Sequence, residues 1–304
     1  MAIRCAKSTS SLHPATLAMT HATSAQSIRT ISLPSGRPIP VLGQGTWHLA
    51  ENAKRRANEI ESLRLGIDLG LTLIDTAEMY ADGEAERLVG EAIAGRRREV
   101  FLVSKVMPSH ARRRVAVEAC ERSLKRLRTD HLDMYLLHWR GKVPLYETID
   151  AFEALVDGGR ILEWGVSNFD VAGMQELASL TTPGSIACDQ VLYNLAKRTI
   201  EWDLMPWCHE HRIPIMAYSP IEQGRVLDDS ALQRIAVRLG VAPASVAIAW
   251  VLHHAEVCAI PKAGTPAHVR ENRAALDVQL TDEDLAALER EFRPPNGPVP
   301  LEMY

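Results

Sequence analysis

From residue 41 onward, short apolar runs alternate with longer segments in which apolar residues recur every three or four positions. Runs that are apolar throughout are typical of buried parallel strands, because helices cover both faces of such a sheet. The spacing of three and four is typical of a helix with one buried face. Eight strand-plus-helix units of this kind occupy residues 41 to 276. Their number and length predict an α/β fold, a (β/α)8 TIM barrel, which typically needs about 250 residues.

A doubly wound parallel sheet is the competing architecture. Its first strand would be followed by three spaced glycines, but Gly43-Gln44-Gly45 lacks the third. Before the barrel, residues 28–33 and 37–40 flank the turn sequence Pro34-Ser35-Gly36, which predicts a β-hairpin. After the barrel, residues 281–284 have the pattern of a capping box and predict a C-terminal helix through Leu288.

The first 26 residues differ in composition from the rest of the chain. They are rich in Ser, Thr and Ala, and they contain Arg4 and Lys7 but no acidic residue. Transit peptides are basic and poor in acid, but they are also amphipathic, and no such period is present here. A transit-like peptide, a disordered tail and a true start at Met19 all remain open. We predict that residues 27–304 form a single barrel domain.

Composition restricts the function classes. The 304 residues are 46% apolar and 24% charged, and the net charge of −4 does not indicate a nucleic-acid-binding surface. No apolar run approaches the ~20 residues of a membrane-spanning helix. Scattered cysteines without a C-x-x-C spacing predict reduced thiols in a cytoplasmic protein. The five are Cys5, Cys120, Cys188, Cys208 and Cys258.

Polar or aromatic residues follow the predicted strands at the points where the strands end. The catalytic residues of (β/α)8 barrels lie at the carboxyl ends of the strands, so these side chains should meet in one site. A single one of them could be an ordinary loop residue, but their recurrence predicts a functional site. They are Trp47, Asp75, Lys105, His138, Asn168, Gln190, Tyr218 and Lys262.

The chain resembles the aldo-keto reductase superfamily in eight motifs, with matches from Pro40 through Asn272. Within the superfamily it is most similar to short-loop bacterial members that reduce small carbonyls such as methylglyoxal. The motifs are Gly45-Thr46-Trp47, Asp75–Tyr80, Val103–Lys105, Leu136–Trp139, Gly165–Phe169, Gln190–Asn194, Ala217–Pro220 and Ile260–Lys262.

The resemblance implies a catalytic tetrad of Asp75, Tyr80, Lys105 and His138. A tyrosine, with a pKa of about 10, is a weak acid at neutral pH. An ammonium ~4 Å away at an effective dielectric of 20 is worth ~4 kcal/mol, or about three pK units. We therefore expect Lys105 to bring the pKa of Tyr80 near neutrality, where a general acid works best. Asp75 would keep Lys105 charged, and a neutral His138 would orient the carbonyl oxygen.

The resemblance also implies NADPH as the cofactor, with NADH as a weaker alternative. Ser167, Asn168 and Gln190 would hold the carboxamide, and Tyr218 would stack on the nicotinamide ring. Ser219 and the loop through Gln223 would meet the pyrophosphate, Lys262 the 2′-phosphate and Asn272 the adenine. The full set of implied cofactor contacts is Gly45, Thr46, Asp75, Ser167, Asn168, Gln190, Tyr218, Ser219, Pro220, Gln223, Ile260, Lys262, Arg270 and Asn272.

One position departs from the pattern of many family members. They place an arginine six residues after the lysine that corresponds to Lys262, and this chain has His268 there. Arg270 lies two positions further on and would point to a different helix face. The preference for NADPH is therefore expected to be weaker than in those relatives.

The segments after His138 and Tyr218 are short, which predicts an open, shallow pocket bounded mainly by Trp47 and Trp139. Tyr80 and His138 would complete the contacts to substrate. Such a pocket favours small, reactive carbonyls of the methylglyoxal type over bulky ones. Arg140 and Lys142 either favour substrates with a carboxylate or are solvated loop charges.

A second function class remains open, because some members of the superfamily are cofactor-sensing accessory subunits. The complete tetrad argues against that role, and the short loops leave little surface for a partner, so we expect a monomeric enzyme. No metal site is predicted: residues 208–211 carry four potential ligands, but adjacent helical residues cannot all face one ion.

Overall fold

The computed structural model describes Met1 and residues 28–304. The predicted tail, residues 1–26, lies outside the described residues apart from Met1. The strands are β1 (Thr30–Ser32), β2 (Pro38–Pro40), β3 (Gly43–Gly45), β4 (Leu73–Asp75), β5 (Phe101–Val106), β6 (Leu132–Leu137), β7 (Ile161–Ser167), β8 (Ile186–Leu192), β9 (Ile215–Tyr218) and β10 (Val257–Ala259). The α-helices are α1 (Arg56–Asp68), α2 (Glu84–Ala92), α3 (Arg113–Leu127), α4 (Leu145–Asp157), α5 (Val171–Ser179), α6 (Leu204–Glu210), α7 (Ser230–Leu239), α8 (Pro243–His253), α9 (Pro266–Ala274) and α10 (Asp282–Glu291).

Strands β3 to β10 pair in parallel, each with its neighbour in chain order. Bridges from Leu42 to Ala259 and from Gly45 to Lys262 join the first strand to the last. A Cβ atom at Gly45 would lie 2.6 Å from the Ile260 carbonyl oxygen, so this seam closes only around a glycine. The predicted (β/α)8 barrel is confirmed.

Two strands extend further than their apolar runs predicted. The sequence suggested that β5 ends before Lys105 and that β8 ends before Gln190, but both side chains lie inside their strands. Buried polar groups require hydrogen-bond partners, and both of these side chains find them inside the barrel mouth. Backbone pairing continues past both residues, to the Val106–Leu137 pair between β5 and β6 and to the Leu192–Tyr218 pair between β8 and β9.

The hairpin closes the amino-terminal end of the barrel. Strands β1 and β2 pair antiparallel, as predicted. Leu33 and Ile39 are buried in the same cluster as the interior residues Leu73 and Phe101. Because this end is filled with apolar side chains, the only open end of the barrel interior in the described part of the chain is the carboxyl end of the strands.

Helix α10 begins with the predicted capping box, in which Thr281 and Asp284 bond reciprocally to backbone N–H groups. The chain beyond it returns across the barrel. The Arg198 guanidinium contacts Glu289 at 2.7 Å and also the Phe292 carbonyl. Lys197 pairs with Glu302 at 2.5 Å, which brings the last residues to the carboxyl end of the strands.

Four cysteines fall within the described residues, and all four are free and buried. Burial raises the pKa of the Cys120 thiol to about 12, and the Glu86 carboxylate adds to the increase. Burial likewise raises the pKa of Cys258 to about 12 and the pKa values of Cys188 and Cys208 well above the ordinary range.

Within residues 28–304, no individual helix combines the length and apolar composition that crossing a bilayer requires. Helices α7 and α8 together have that length and composition, but the two helices are bent by 98° relative to each other.

Candidate active site

A cavity of about 700 Å³ opens at the carboxyl ends of the barrel strands. Most of the residues singled out in the sequence line it, although they come from four strands, from the segments that follow the strands and from α9. The predicted residues in its wall are Trp47, Asp75, Tyr80, His138, Trp139, Ser167, Asn168, Gln190, Tyr218, Ser219, Pro220, Gln223, Ile260, Lys262 and Asn272.

Lys105 lies fully buried beneath this cavity. Its Nζ donates to Asp75 Oδ2 at 2.7 Å, to the Thr76 carbonyl at 3.0 Å and to Tyr80 Oη at 3.1 Å. An ammonium has three N–H donors, and each has an acceptor here. Burial alone would lower the pKa of Lys105, but the Asp75 carboxylate and the Tyr80 oxygen outweigh it, and the net shift is upward. Lys105 is therefore a fixed cation in contact with a phenol.

The Asp75 carboxylate uses both of its oxygens. Oδ2 accepts from Lys105, and Oδ1 accepts from Gln190 Nε2 at 2.8 Å. Asp75 is the last residue of β4 and Gln190 lies within β8, so this bond spans the inside of the barrel. The ion pair is thus held rigidly from two sides.

Tyr80 begins the turn between β4 and α2, and its ring centroid lies 4.9 Å from Lys105 Nζ. The expectation that Lys105 brings its pKa near neutrality is wrong for this structure. Burial raises the pKa of Tyr80 by more than the Lys105 ammonium lowers it, and the Asp75 charge adds to the increase. Desolvation disfavours a phenolate more than one nearby cation favours it. The phenol therefore keeps its proton at neutral pH and can donate it.

His138 directly follows β6, and its ring meets the Tyr80 ring edge-on at a centroid distance of 5.7 Å. Burial, assisted by the nearby Lys105 charge, lowers the pKa of His138 from 6.5 to about 2. Its Nδ1 atom is buried without a hydrogen-bond partner among the described residues. The imidazole is therefore neutral, and one ring nitrogen can donate a hydrogen bond into the cavity.

A second polar group lies where β7 and β8 end. Ser167 Oγ donates to the Gln190 carbonyl at 2.7 Å, and Asn168 Nδ2 donates to the His138 carbonyl at 3.1 Å. Asn168 adopts a left-handed backbone with φ of 58° and accepts from Tyr218 Oη at 2.9 Å. Amide, hydroxyl and aromatic groups therefore face the cavity beside the ion pair.

Four predicted site residues do not line the cavity. Lys105 lies behind Tyr80. Gly45 forms the closing seam, and Thr46 Oγ1 donates to the Asp75 carbonyl at 2.9 Å, so both support the wall from behind. The assignment of Arg270 to the cofactor site needs correction, because its side chain faces α1, beside Ala57 and Glu61.

His268 occupies the cavity side of α9 instead, together with Glu271 and Asn272. Positions 268, 271 and 272 share one face of a helix, whereas position 270 lies on another. This spacing in the sequence could have identified Glu271 as a wall residue.

Two further wall residues, Met303 and Tyr304, escaped the sequence analysis. The Tyr304 ring stacks on Trp47 at a centroid distance of 6.1 Å and lies 6.4 Å from the Tyr218 ring. The pocket is therefore not bounded mainly by Trp47 and Trp139, because Tyr304 adds a third aromatic ring to its wall. In the sequence, the only indication of this role for Tyr304 is a single aromatic residue in a proline-rich segment.

The two loop cations after His138 do not reach the cavity wall. Arg140 pairs with Glu176 at 3.1 Å and donates to the Val143 carbonyl at 2.9 Å. Neither Arg140 nor Lys142 lines the cavity. Both are therefore interpreted as loop charges and not as contacts to a substrate carboxylate.

Comparisons with known proteins agree with this geometry. The family model described as "Aldo/keto reductase family" matches residues 41–291. The methylglyoxal reductase YeaE of Escherichia coli is 51% identical over 270 residues, covering 87% of this chain and 95% of the relative. The glyoxal reductase of Bacillus subtilis is 33% identical over 277 residues, covering 90% of this chain and 97% of the relative.

A solved structure gives the same result. An aldo-keto reductase from Klebsiella pneumoniae, crystallised with NADPH, superposes with a TM-score of 0.88 at 48% identity. The superposition covers 92% of this chain and 100% of the other chain. With the barrel, the buried Lys105 and these matches in place, the chain belongs to the aldo/keto reductase family.

Proposed function

We propose that this protein is an NADPH-dependent reductase of small aldehydes and of dicarbonyls of the methylglyoxal type. The observation that carries the proposal is the buried Lys105 ammonium, which contacts Asp75 and the Tyr80 phenol beside a neutral His138. The relative named methylglyoxal reductase, which is 51% identical, and the neighbour crystallised with NADPH support the same reaction.

The cavity wall fits the chemistry of NADPH. Ser167, Asn168 and Gln190 offer donors and acceptors for a carboxamide, and Tyr218 offers an aromatic face next to them. Lys262 is exposed at the cavity and makes no ion pair with a carboxylate in the described part of the chain, so it is available for a phosphate. When bound, NADPH supplies the hydride.

Tyr80 would supply the proton in this reaction. As the carbonyl becomes an alcohol, its oxygen gains negative charge and needs a proton from a nearby acid. The Tyr80 phenol keeps its proton at neutral pH, and Lys105 stabilises the phenolate that remains after transfer. Asp75 holds Lys105 in position, because it accepts one of the three ammonium hydrogen bonds.

His138 would orient the substrate. A neutral imidazole can donate a hydrogen bond to a carbonyl oxygen without offering a competing proton. Its edge-on contact with the Tyr80 ring puts both groups at the same side of the cavity. An oxygen held by both would be fixed for reduction.

The walls favour small substrates. Trp47, Trp139 and Tyr304 line the cavity with aromatic rings, and they offer few polar contacts remote from the reacting carbon. Little remote binding energy is then available, so reactivity must come from the substrate itself. Small aldehydes and dicarbonyls have that reactivity.

A carbonyl panel tests the proposal. Loss of NADPH absorbance is followed with methylglyoxal, short aldehydes, an aldose and a steroid ketone. We expect methylglyoxal and the short aldehydes to give the highest kcat/KM values. A steroid ketone with the highest value would contradict the argument from the walls, and no turnover of any carbonyl would favour the accessory-subunit alternative.

Lys262 provides a prediction about cofactor choice. In Lys262→Ala the KM for NADPH should rise about tenfold or more, because a charge-assisted bond to the 2′-phosphate is lost. The KM for NADH should change far less, since NADH lacks that phosphate. Steady-state kinetics with both cofactors measures this, with Lys142→Ala as the matched exposed-lysine control. Equal increases for the two cofactors would exclude this role.

The pKa of His138 predicts the pH dependence. A histidine whose pKa is lowered to about 2 is almost entirely neutral at pH 5 and above, so the enzyme should not lose activity through its protonation near pH 6.5. The raised pKa of Tyr80 likewise keeps the acid form present above neutral pH. At saturating NADPH, kcat/KM for the carbonyl should therefore be flat between about pH 5 and 8. A fall below about pH 6.5 that disappears in His138→Asn would show that the imidazole titrates.

We further propose that the enzyme acts as a cytoplasmic monomer. The four described cysteines are free, which suits a reducing compartment, and the short barrel loops offer little surface for a partner. Light scattering in solution measures the mass directly.

A further inference from the structure

We propose that Tyr304 is a latch that holds the loop over the cofactor site closed, so that NADPH leaves only after Tyr304 detaches. This inference rests on the proposed function, because it concerns the same cavity and the same cofactor. The latch is defined by the Tyr304 hydroxyl and ring together with Arg225 and Glu222.

The loop after β9, residues 219–224, lines the cavity and has an unusual backbone. Ser219, Glu222 and Gln223 adopt left-handed conformations, with φ of 49°, 50° and 55°. Such conformations are costly for residues other than glycine and persist only when surrounding contacts enforce them. Something must therefore hold this loop in place.

Two sets of contacts hold it. From below, Asn194 Nδ2 donates to the Ser219 carbonyl at 3.0 Å and to Glu222 Oε2 at 2.7 Å. From above, the Arg225 guanidinium pairs with Glu222 Oε1 at 2.8 Å and donates to the Tyr304 hydroxyl. Asn194 lies in the loop just after β8 and is fully buried, whereas Tyr304 belongs to the returning C-terminal segment.

Tyr304 also reaches the opposite side of the cavity. Its ring stacks on Trp47 with an interplanar angle of 21°, and Trp47 lies in the loop after β3. The Arg225 guanidinium lies 5.4 Å from the same ring, within the range of a cation–π contact. One side chain thus joins the loop after β9 to the loop after β3 across the cavity mouth.

The segment that carries Tyr304 is itself anchored, by Lys197 to Glu302 and by Arg198 to the Phe292 carbonyl. Tyr304 is about half exposed, so it can leave without unfolding the barrel. Breaking the bond to Arg225 and the stack on Trp47 frees residues 219–224 from the C-terminal segment and leaves the Asn194 bonds beneath them. Cofactor release should therefore be limited by these contacts.

The experiment is stopped-flow release of NADPH from the wild type and from Tyr304→Phe, followed by the fluorescence of the bound cofactor. The phenylalanine variant keeps the ring on Trp47 and over Arg225 and removes only the hydroxyl. We expect the off-rate to rise about fivefold, the usual worth of one hydrogen bond. Tyr304→Leu, which also removes the aromatic contacts, should raise it further. The control is Tyr146→Phe, at an exposed tyrosine on α4 outside the cavity, and its off-rate should equal that of the wild type.

A double-mutant cycle separates a latch from a general loosening. If the hydroxyl acts through Arg225, then Tyr304→Phe combined with Arg225→Met should release NADPH no faster than Arg225→Met alone. Additive effects, or an unchanged off-rate in both Tyr304→Phe and Tyr304→Leu, would overturn the latch. If the wild type binds NADPH tightly and these variants release it at the same rate as the wild type, the latch is rejected and the proposed function still stands. A wild type that does not bind NADPH rejects both.

Discussion

Tyr80→Phe is expected to lower kcat for methylglyoxal by about 10²–10⁴, the usual contribution of a general acid. The substitution removes the one hydroxyl that Lys105 holds in the cavity at 3.1 Å, and it leaves the ring against His138. Water or His138 would have to protonate the developing alkoxide, and His138 is neutral and weakly acidic.

The measurement is single-turnover reduction with NADPH already bound, which excludes product release from the observed rate. NADPH affinity, measured separately by fluorescence, should change little, because the phenol contacts the protein and not the cofactor tail. Tyr146→Phe again serves as the matched tyrosine control. A Tyr80→Phe enzyme that turned over at near the wild-type rate would exclude Tyr80 as the proton donor.

Lys105→Met is expected to have a comparably large effect on activity and a further effect on stability. The methionine has a similar length but no charge, so the Tyr80 phenolate loses its stabilising cation. The Asp75 carboxylate, fully inside the protein, then keeps only the Gln190 donor. Breaking one side of a buried ion pair typically costs 3–5 kcal/mol, which for a chain of this size lowers the melting temperature by about 10 °C.

A second variant separates the two effects. Asp75→Asn combined with Lys105→Met removes both charges, so no uncompensated buried charge remains and most of the lost stability should return. Activity should not return, because the cation at Tyr80 is still missing. Calorimetry and single-turnover kinetics on the single and double variants measure both quantities. Recovery of activity in the double variant would show that Lys105 serves only as the structural partner of Asp75.

The sequence predicted the barrel and its mouth well because both depend on local patterns. Apolar runs locate the strands, and a carboxylate such as Asp75 directly after one locates the end that faces the cavity. The hydrogen-bond partners of a side chain are harder to predict from local sequence patterns. That the Lys105 ammonium would meet Tyr80 followed from the resemblance, but the direction of the Tyr80 pKa depends on burial, which the sequence alone does not measure.

Long-range contacts mark the limits of prediction. The resemblance put Arg270 among the cofactor contacts, although the helical spacing already indicated a different face from position 268. In the structure Arg270 lies beside α1 and His268 lies at the cavity. Tyr304 contacts Arg225 across 79 positions of sequence. No periodicity or turn motif between residues 292 and 304 encodes such a contact, because a returning segment is positioned by ion pairs with distant residues.

The buried cysteines have a consequence for the proposed function, because its substrates are electrophiles. Dicarbonyls of the methylglyoxal type attack proteins by adding to nucleophilic side chains, and for cysteine the thiolate is the reactive form. In Cys120, Cys188, Cys208 and Cys258, burial both blocks access and raises the pKa, so almost no thiolate forms at neutral pH. The packing that buries these four cysteines therefore also makes their thiols chemically inert toward the dicarbonyls proposed as substrates.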